Sequence, residues 1–259
     1  MESKFYQPDE RRAEKVRELF ARIARRYDLL NDIMSAGLHR RWKRRLVGLA
    51  GEPRDVLDLC CGTGDLALEF MKHSPPDLLV GLDFTDEMLQ VAASRSRRLH
   101  VASCAVAIDD YGKVHSTNTR VGKVSWIRAD ALRLPFADDS FDVVSVGYGL
   151  RNLANAEAGL LEILRVLRPG GKLLSLDFGK PTNGFLRALY FGYLRTVLPL
   201  LGRLYCGDPD THGYILVSLR DYGAQRGTKE LMQKCGYRDC GFEEFCGGAM
   251  AINFGSKLR

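Results

Sequence analysis

The residues best placed to do chemistry lie in the stretch "DVLDLCCGTGDLALEF", residues 55–70. An apolar run reaches Asp58 there, the loop Gly62-Thr63-Gly64 follows, and Asp65 comes directly after it. Glycines let a backbone approach a ligand with no Cβ in the way. Acids on both sides of such a loop, each able to face the ligand, favour a positively charged group over a phosphate.

Two further acids stand at the ends of later apolar runs. Asp83 lies in "DLLVGLDF" and Asp130 lies in "KVSWIRAD". At the end of a strand, a carboxylate such as Asp83 can accept both hydroxyls of a ribose. Asp130, together with the backbone of Ala131, can take the edge of an adenine. The alternative for Asp83 is a turn or helix N-cap aspartate.

These acids need a scaffold that brings strand ends together. Apolar runs alternate with helical periodicity along the chain, which is typical of repeated strand-helix-strand units. Strands are predicted over 54–60, 77–84, 123–130, 141–148 and 172–178, and helices over 65–73, 85–99 with Thr85 as its cap, and 156–168 before a turn at 169–171. Such units imply an α/β fold with a parallel sheet and helices on both faces, in which ligands bind beyond the carboxyl ends of the strands.

Charge separates the two ligands that the glycine loop allows. Residues 62–67 satisfy the dinucleotide fingerprint with alanine last, which would put a pyrophosphate at the start of the helix. Asp58 and Asp65 would repel that group. S-adenosylmethionine has no phosphate and carries a positive sulfonium and a positive ammonium group, so the sequence predicts this cofactor. A nicotinamide oxidoreductase is the alternative.

The N-terminal segment has a different character. Apolar spacing over residues 13–30 predicts one amphipathic helix. Residues 1–45 hold 13 Lys or Arg against 7 Asp or Glu, whereas the rest of the chain is neutral. The densest run, "HRRWKRR" at 39–45, suits an anionic membrane surface or a phosphate backbone. The alternative is a solvated helix face with Trp42 packed inward.

Composition narrows the protein class. No apolar stretch reaches the roughly 18 residues of a membrane span, and the first residues lack the apolar core of a secretion signal. We expect a cytoplasmic protein whose seven cysteines stay reduced. Adjacent Cys60 and Cys61 point to opposite sides of a strand, which disfavours a metal site. Residues 100–122 lack a clear period and predict a surface insertion, with a hairpin as one form.

At the level of family, the chain resembles the class I S-adenosylmethionine-dependent methyltransferases and, more narrowly, the ubiquinone/menaquinone biosynthesis C-methyltransferases. The similarity spans about residues 16 to 240 and rests on "RRYDLLNDIMSAGLHRRWKRRLV", "VLDLCCGTGDLA", "ALRLPFADDSFD", "GYGLRNL", "EILRVLRPGGKLLSLDF" and "LPLLGRL". It implies a Rossmann-like fold with a mostly parallel seven-stranded sheet. Residues 1–50 would then form a helical segment beside the substrate, and residues 51–259 the cofactor-binding domain.

The resemblance also implies an activity and its site. The expected reaction is methylation of a ring carbon in a demethylmenaquinol or a polyprenyl benzoquinol. The cofactor contacts that we expect are Asp58, Gly62, Thr63, Gly64, Asp83, Phe84, Asp130, Ala131 and Gly147. Arg151 would stabilise a phenolate, and Tyr27 would orient that oxygen or relay its proton. The alternatives are a surface ion pair for Arg151 and a core aromatic for Tyr27.

Some residues depart from the family pattern. Gly147 stands where the family usually has Ser, so it offers only backbone, and "HGY" at 212–214 stands where it often has Tyr-Arg-Tyr. Another hydrophobic acceptor therefore stays open as an alternative. Nucleic acid is disfavoured because "GYGLRN" is not the Asn/Asp-Pro-Pro-aromatic run that holds a flipped base. No metal is expected, and peripheral contact with an anionic membrane and a homodimer are further expectations.

Overall fold

One central sheet organises the protein. A computed structural model describes residues 5, 12–103, 106–108, 114–116 and 123–259. The strands are β1 Asp55–Leu59, β2 Leu78–Asp83, β3 Ala102–Ser103, β4 Val106–Ile108, β5 Val114–Ser116, β6 Lys123–Arg128, β7 Phe141–Gly147, β8 Leu167–Phe178, β9 Arg238–Phe245 and β10 Met250–Ser256. Eight of them form the main sheet in the order β3-β6-β2-β1-β7-β8-β10-β9.

The direction of the strands confirms the predicted class. From β3 to β8 every neighbouring pair is parallel, whereas β10 runs antiparallel to both β8 and β9. The prediction of a mostly parallel seven-stranded sheet is therefore confirmed, with the two-residue β3 as an additional edge strand. Because parallel strands end at the same edge, the residues that follow β1, β2, β6 and β7 come together there.

Helices cover both faces of the sheet. They are α1 Arg12–Ile23, α2 Tyr27–Ser35, α3 His39–Ala50, α4 Asp65–His73, α5 Asp86–Arg98, α6 Ala156–Val166, α7 Gly184–Cys206, α8 Asp210–Asp221 and α9 Ala224–Lys234. Apolar side chains of α6 and α9 pack on one face, and those of α3 and α4 pack on the other. A third apolar cluster joins α1, α7 and α8.

The N-terminal helix is interrupted, which corrects one prediction. The expected helix over 13–30 is two helices, α1 and α2, separated by the 3-10 turn Ala24–Arg26. Ala24 is buried, and the turn packs against α5. Tertiary packing therefore overrides the continuous amphipathic pattern, and Tyr27 is the first residue of α2.

The expected turn at 169–171 is also different. β8 continues through these residues, and its pairing with β7 shifts register between Phe141 and Val143. Gly170 has φ +81°, and a Cβ at Gly171 would lie 2.8 Å from the Arg168 carbonyl oxygen. The two glycines thus form an irregularity within a strand, where they serve the same steric need as in a turn.

The basic run on α3 is largely neutralised by the fold. Trp42 is 9% exposed and its ring lies 6.4 Å from that of Phe245. Four of the five cations form ion pairs: Arg40 with Asp32, Lys43 with Asp65, Arg44 with Glu69, and Arg45 with Glu243. The alternative of an inward Trp42 therefore describes α3, and its charge is mostly engaged within the protein.

The insertion contains a small antiparallel pair. β4 and β5 pair with Val106 opposite Ser116 and Ile108 opposite Val114, as a hairpin requires. Residues 104–105, 109–113 and 117–122 lie outside the described part. Within the helices that the structure describes, none has the length and hydropathy to cross a bilayer.

Candidate functional site: two adjoining cavities

The loop after β1 allows close backbone approach at one glycine. Gly62 lines a cavity at the carboxyl ends of β1, β2, β6 and β7, which we call the strand-end cavity. Gly62 has φ +54°, and a Cβ added there would meet no protein atom within 4 Å. Gly64 differs, because a Cβ there would lie 2.4 Å from Cη2 of Trp126. The first glycine is open toward a ligand, and the second is required by packing.

Asp83 is held rigidly at the end of β2. Its Oδ2 accepts a hydrogen bond from the Gly62 amide at 2.9 Å, and its Oδ1 accepts one from the Thr85 amide at 2.9 Å. Burial raises the pKa of Asp83, although these amide donors oppose the shift. Each carboxylate oxygen retains acceptor capacity beyond one amide. Asp83 lines the strand-end cavity and can therefore accept hydroxyl groups there.

Thr85 does not cap α5 with its side chain. It occupies the N-cap position with an extended backbone, but its side chain accepts no hydrogen bond from the helix. The Thr85 amide instead donates to Asp83. The predicted cap thus holds the candidate ribose acceptor in place.

The other side of the strand-end cavity comes from residues after β6 and at the end of β7. Asp130 Oδ1 accepts from the Leu132 amide at 2.9 Å, and Ala131 is buried beside it. Phe84, Asp130, Ala131 and Gly147 all line the cavity. At Gly147 a Cβ would make an ordinary contact of 3.6 Å with Leu66, so the missing side chain is not a steric requirement.

The charge of the strand-end cavity fits a cation. Two of the described residues that line it, Asp83 and Asp130, are acids, and none of them is Lys, Arg or His. A pyrophosphate would meet repulsion without compensation, whereas a sulfonium or ammonium group would be attracted. The group that the sequence predicts, S-adenosylmethionine, therefore fits the residues present.

The acids that carry this charge are not the ones first expected. Asp58 is 1% exposed and lies outside the cavity lining, with Oδ2 accepting from the Ala67 amide and Oδ1 from the Ser145 hydroxyl. Asp65 forms ion pairs with Lys43 and Arg95. Asp58 thus bonds to α4 and β7, and Asp65 joins α4 to α3 and α5. Neither carboxylate lines the cavity.

Asp58 makes stability depend on pH. Burial raises its pKa to about 7, and hydrogen bonds from Ser145 and Ala67 offset only part of that shift. In the unfolded chain the carboxyl ionises near pH 4. The folded state therefore binds the extra proton between these values, and the stability present below pH 4 is lost as pH rises to about 7. Asn cannot ionise, so over this pH range we expect the unfolding free energy of Asp58→Asn to fall by up to about 4 kcal/mol less than that of wild type.

Urea unfolding at pH 4 and pH 8 measures this effect. Asp142 offers the control, because burial tends to raise its pKa but Arg168 and the Asp55 amide outweigh that and lower it. Measured also at pH 2, Asp142→Asn should lose more stability at pH 4 than at pH 2, which is the opposite sign, and should change little between pH 4 and pH 8. Parallel pH profiles for wild type and Asp58→Asn would contradict the assignment.

Thr63 is also placed behind the cavity wall. Its hydroxyl donates to Asp28 Oδ1 at 2.7 Å and accepts from Arg95 Nη1 at 3.2 Å. Arg95 in turn pairs with Asp28 and Asp65. These contacts tie α2 to α4 and α5, so Thr63 supports the site through the loop and lies outside the lining.

A second cavity adjoins the first. Helices α1, α2, α3, α7 and α8 contribute most of its walls, and we call it the helix cavity. Tyr27 and Tyr148 line both cavities, so these two residues stand at the junction. The remaining lining includes Met34, Trp42, Phe178, Tyr190, Tyr193, Leu198, Tyr214 and Ile215. An apolar, aromatic wall of this kind suits a hydrophobic ring system.

Arg151 lines the helix cavity but is strongly engaged. It is 4% exposed, and Nη1 lies 2.5 Å from Asp177 Oδ1. Its Nη2 donates to the Tyr214 hydroxyl at 3.0 Å, and its guanidinium carbon lies 4.8 Å from the centre of the Phe178 ring. Burial opposes the charge, yet Asp177 and Tyr214 raise the pKa of Arg151 above its usual value.

Arg151 and Asp177 form a buried ion pair, not the surface ion pair that is the alternative for Arg151 in the sequence analysis. Asp177 compensates the charge of Arg151, so the cation can remain buried beside an apolar ligand. The Phe178 amide also donates to Asp177 Oδ1 at 2.8 Å. The guanidinium is therefore fixed in orientation. One edge of it bonds to Asp177, and the group lies beside the helix cavity.

Tyr27 stays protonated at the junction. Burial raises its pKa well above the usual value, and Tyr214 adds to the shift. Its ring packs edge-on against Phe20 with the centroids 5.9 Å apart. A phenol that keeps its proton can donate a hydrogen bond to a developing phenolate but cannot act as a phenolate base.

Several residues of the site escaped sequence reasoning. Asp177 is the penultimate residue of β8, as Asp58 is of β1, so the position of an acid near a strand end is a usable signal. His212 is buried in the helix cavity, and burial lowers its pKa to about 4, which keeps it neutral. Tyr190 lies on α7, and the spacing of residues in that helix does not indicate that the Tyr190 hydroxyl is buried.

Two cysteines directly precede the glycine loop. Burial raises the pKa values of Cys60 and Cys61 well above the ordinary range, with Asp83 adding to both shifts. They therefore remain as neutral thiols. Cys60 has φ +55° and lines the strand-end cavity. The sulfur of Cys61 lies beside Gly81 of β2, where an added Cβ would be 3.2 Å from it.

Known proteins match this chain over nearly its whole length. The profile of the ubiE/COQ5 methyltransferase family matches residues 9–257. The ubiquinone/menaquinone biosynthesis C-methyltransferase UbiE of Azotobacter vinelandii is 38% identical and covers 96% of this chain and 92% of its own. The protein of the same name from Ectopseudomonas mendocina is also 38% identical, with 96% and 91% covered.

Solved structures share the fold at low identity. A SAM-dependent methyltransferase from Aquifex aeolicus has a TM-score of 0.53 at 14% identity, covering 83% of this chain and 89% of its own. Phosphoethanolamine N-methyltransferase 2 of Haemonchus contortus, in complex with S-adenosyl-L-methionine, has a TM-score of 0.56 at 15% identity, with 85% and 53% covered. The profile match and the identity to full-length relatives establish that the chain belongs to the ubiE/COQ5 methyltransferase family.

Proposed function

We propose that the protein transfers a methyl group from S-adenosylmethionine to a ring carbon of a prenylated quinol, either demethylmenaquinol or the corresponding benzoquinol, in quinone biosynthesis. The observation that carries this proposal is the junction of the two cavities. One cavity is acidic and lies at strand ends, the other is apolar and aromatic, and Tyr27 and Tyr148 line both. A cationic methyl donor and a hydrophobic ring would meet there.

The strand-end cavity supplies the groups that would hold the methyl donor. Asp83 is the candidate acceptor for ribose hydroxyls, and Asp130 with Ala131 is the candidate for the adenine edge. The open backbone at Gly62 would admit close approach. When bound, S-adenosylmethionine supplies an electrophilic methyl group on a positive sulfur. The protein's own contribution is to bind, orient and exclude water.

The helix cavity would activate and orient the acceptor ring. A ring carbon becomes a better nucleophile as the neighbouring hydroxyl loses its proton and donates electron density into the ring. Arg151 would stabilise the resulting phenolate through its fixed positive edge. Tyr27, which keeps its own proton, would donate a hydrogen bond to the same oxygen or relay the quinol proton to water, and the methylated carbon would then lose its hydrogen as a proton to water. No covalent intermediate on the protein is needed.

One experiment tests the proposed reaction. The protein is incubated with methyl-labelled S-adenosylmethionine and a reduced lipid extract of its host, and the labelled lipid is identified. We expect a quinone that has gained one methyl group on its ring. The same extract left oxidised should give little label, because the ring then lacks the electron-donating hydroxyl. Label in another lipid class would favour the alternative of a different hydrophobic acceptor.

We also propose that the protein meets its lipid substrate at a membrane surface through α7. Four large apolar side chains of this helix are strongly exposed: Phe185 at 72%, Leu189 at 57%, Leu200 at 54% and Leu204 at 68%. The helix has three arginines and no acid. It also lines the helix cavity through Tyr193 and Leu198. The paired cations of α3 are less suited to this role.

Replacing two of these leucines tests the membrane contact. We expect Leu189→Glu with Leu200→Glu to lower binding to phosphatidylcholine/phosphatidylglycerol vesicles at least tenfold, since burial of a leucine contributes about 1.5 to 3 kcal/mol. Sedimentation with vesicles measures this. Leu161→Glu is the matched control, because Leu161 is 48% exposed on α6. If wild type, the double variant and Leu161→Glu sediment equally with vesicles, α7 is not the membrane contact.

The formation of a homodimer stays a prediction.

A further inference from the structure

One hydroxyl in the helix cavity stands apart from the others. The Tyr190 oxygen is buried and has no hydrogen-bond partner among the described residues. Tyr190 lines the helix cavity and is absent from the lining of the strand-end cavity. Burial raises its pKa well above the usual value, so the group remains a phenol that can donate a hydrogen bond.

Two neighbouring tyrosines of the helix cavity have hydrogen-bond partners. Tyr193, three residues further along α7, donates to the Met34 carbonyl oxygen at 2.9 Å. The Tyr214 hydroxyl accepts from Arg151 at 3.0 Å. Buried polar groups in folded proteins almost always have a partner, and leaving one unpaired costs free energy. A hydroxyl that is unpaired at the wall of a cavity is therefore suited to a ligand.

The chemistry of a quinol indicates what this ligand atom is. A 1,4-quinol has two ring oxygens, and the one beside the methylated carbon activates it. The other oxygen lies across the ring and adds little to the reactivity of that carbon. Tyr27 and Arg151 are the groups at the activating oxygen in the proposed function, and Tyr27 lies at the junction with the strand-end cavity.

We propose that the Tyr190 hydroxyl donates a hydrogen bond to the ring oxygen farther from the methylated carbon. The inference rests on the proposed function. It makes Tyr190 a substrate-binding and specificity-determining residue, because the remote oxygen contributes to binding and not to nucleophilicity. An acceptor with two oxygens would then be preferred over one that has only the activating hydroxyl.

Two acceptors isolate this contact. The first is 2-prenyl-1,4-naphthoquinol, and the second is 3-prenyl-1-naphthol, which keeps the hydroxyl beside the reacting carbon and lacks the other. Binding is measured by quenching of tryptophan fluorescence, since Trp42 lines the helix cavity. We expect wild type to bind the quinol about tenfold more tightly than the naphthol, the effect of one hydrogen bond. Equal affinities would overturn the proposal.

Tyr190→Phe removes only the oxygen. This variant should bind the quinol about tenfold more weakly than wild type and bind the naphthol equally well. Its thermal midpoint should be unchanged or higher, because the lost hydroxyl had no partner. Tyr193→Phe is the control: it should lower the thermal midpoint and affect both acceptors alike. A Tyr190→Phe loss that is the same for both acceptors would assign the residue to packing.

The two proposals fail differently. Methyl transfer is measured with the same acceptors, and Tyr190→Phe should raise KM for the quinol about tenfold with kcat within threefold. Tight, oxygen-dependent binding without methyl transfer would contradict the proposed function alone. Methyl transfer at equal KM for wild type and Tyr190→Phe would contradict the role of Tyr190 alone.

Discussion

Asp83→Ala should weaken binding of S-adenosylmethionine by about 2 to 4 kcal/mol, a factor of roughly 30 to 1000 in Kd. The carboxylate is buried at the cavity wall, and its two oxygens are oriented by the Gly62 and Thr85 amides. A charged acceptor fixed in this way can take two hydroxyls, each bond being worth about 1.5 to 3 kcal/mol without simple addition. Titration calorimetry measures the change.

The variant also removes the acceptor of two backbone amides. Asp83→Asn separates the two effects, because its amide oxygen can still accept one of those hydrogen bonds while the charge is lost. Asp86→Ala is the matched surface control, since Asp86 pairs with Arg128 at an exposed site on α5. Near-normal binding by Asp83→Ala, with an unchanged thermal midpoint, would remove Asp83 from the cofactor site.

Arg151→Ala should lower the methylation rate about 100-fold or more while cofactor affinity stays within a few-fold. Loss of a fixed positive group at a developing oxyanion costs about 2.7 to 4 kcal/mol in comparable sites. Arg151 lines the helix cavity and not the strand-end cavity, so the effect should separate from cofactor binding. Tyr27→Phe should lower the rate less. Single-turnover methylation and calorimetry give the two quantities.

Stability is the main complication for Arg151. Its removal leaves Asp177 buried without a charge partner, which costs about 3 to 5 kcal/mol. The double variant Arg151→Leu with Asp177→Asn removes both charges and should recover most of that stability. We expect it to stay as slow as Arg151→Ala. A double variant that recovers both stability and rate would mean that Arg151 acts only through the fold.

The alternation of strands and helices from β1 to β8 could be predicted because strands such as β1 and β2 are apolar runs with an acid near their end. The function of those acids could not. Asp58 is the fourth residue of the five-residue β1, and its side chain bonds to α4 and β7. Asp83 is the last residue of β2 and reaches the cavity. One position along a strand reverses the direction of a side chain, so strand boundaries decide which acid meets the ligand.

Contacts between distant segments are harder to predict from the sequence. The family resemblance points to Arg151 and Tyr27, but no local pattern predicts that Asp177 forms an ion pair with Arg151. The interruption at Ala24–Arg26 also depends on packing against α5, which the amphipathic pattern of residues 13–30 does not contain. The unpaired hydroxyl of Tyr190 is a property of its surroundings and has no signature in the helix sequence.

The shared walls formed by Tyr27 and Tyr148 have a consequence for inhibitor chemistry. Because the two cavities meet at these side chains, an adenosine-like head and a prenylated aryl group could be joined by a short linker and occupy both at once. Tethering makes the second binding event intramolecular, so its local concentration is set by the linker and not by the solution. Selectivity among enzymes of this fold would then come from the aryl half, which the side chains of the helix cavity surround.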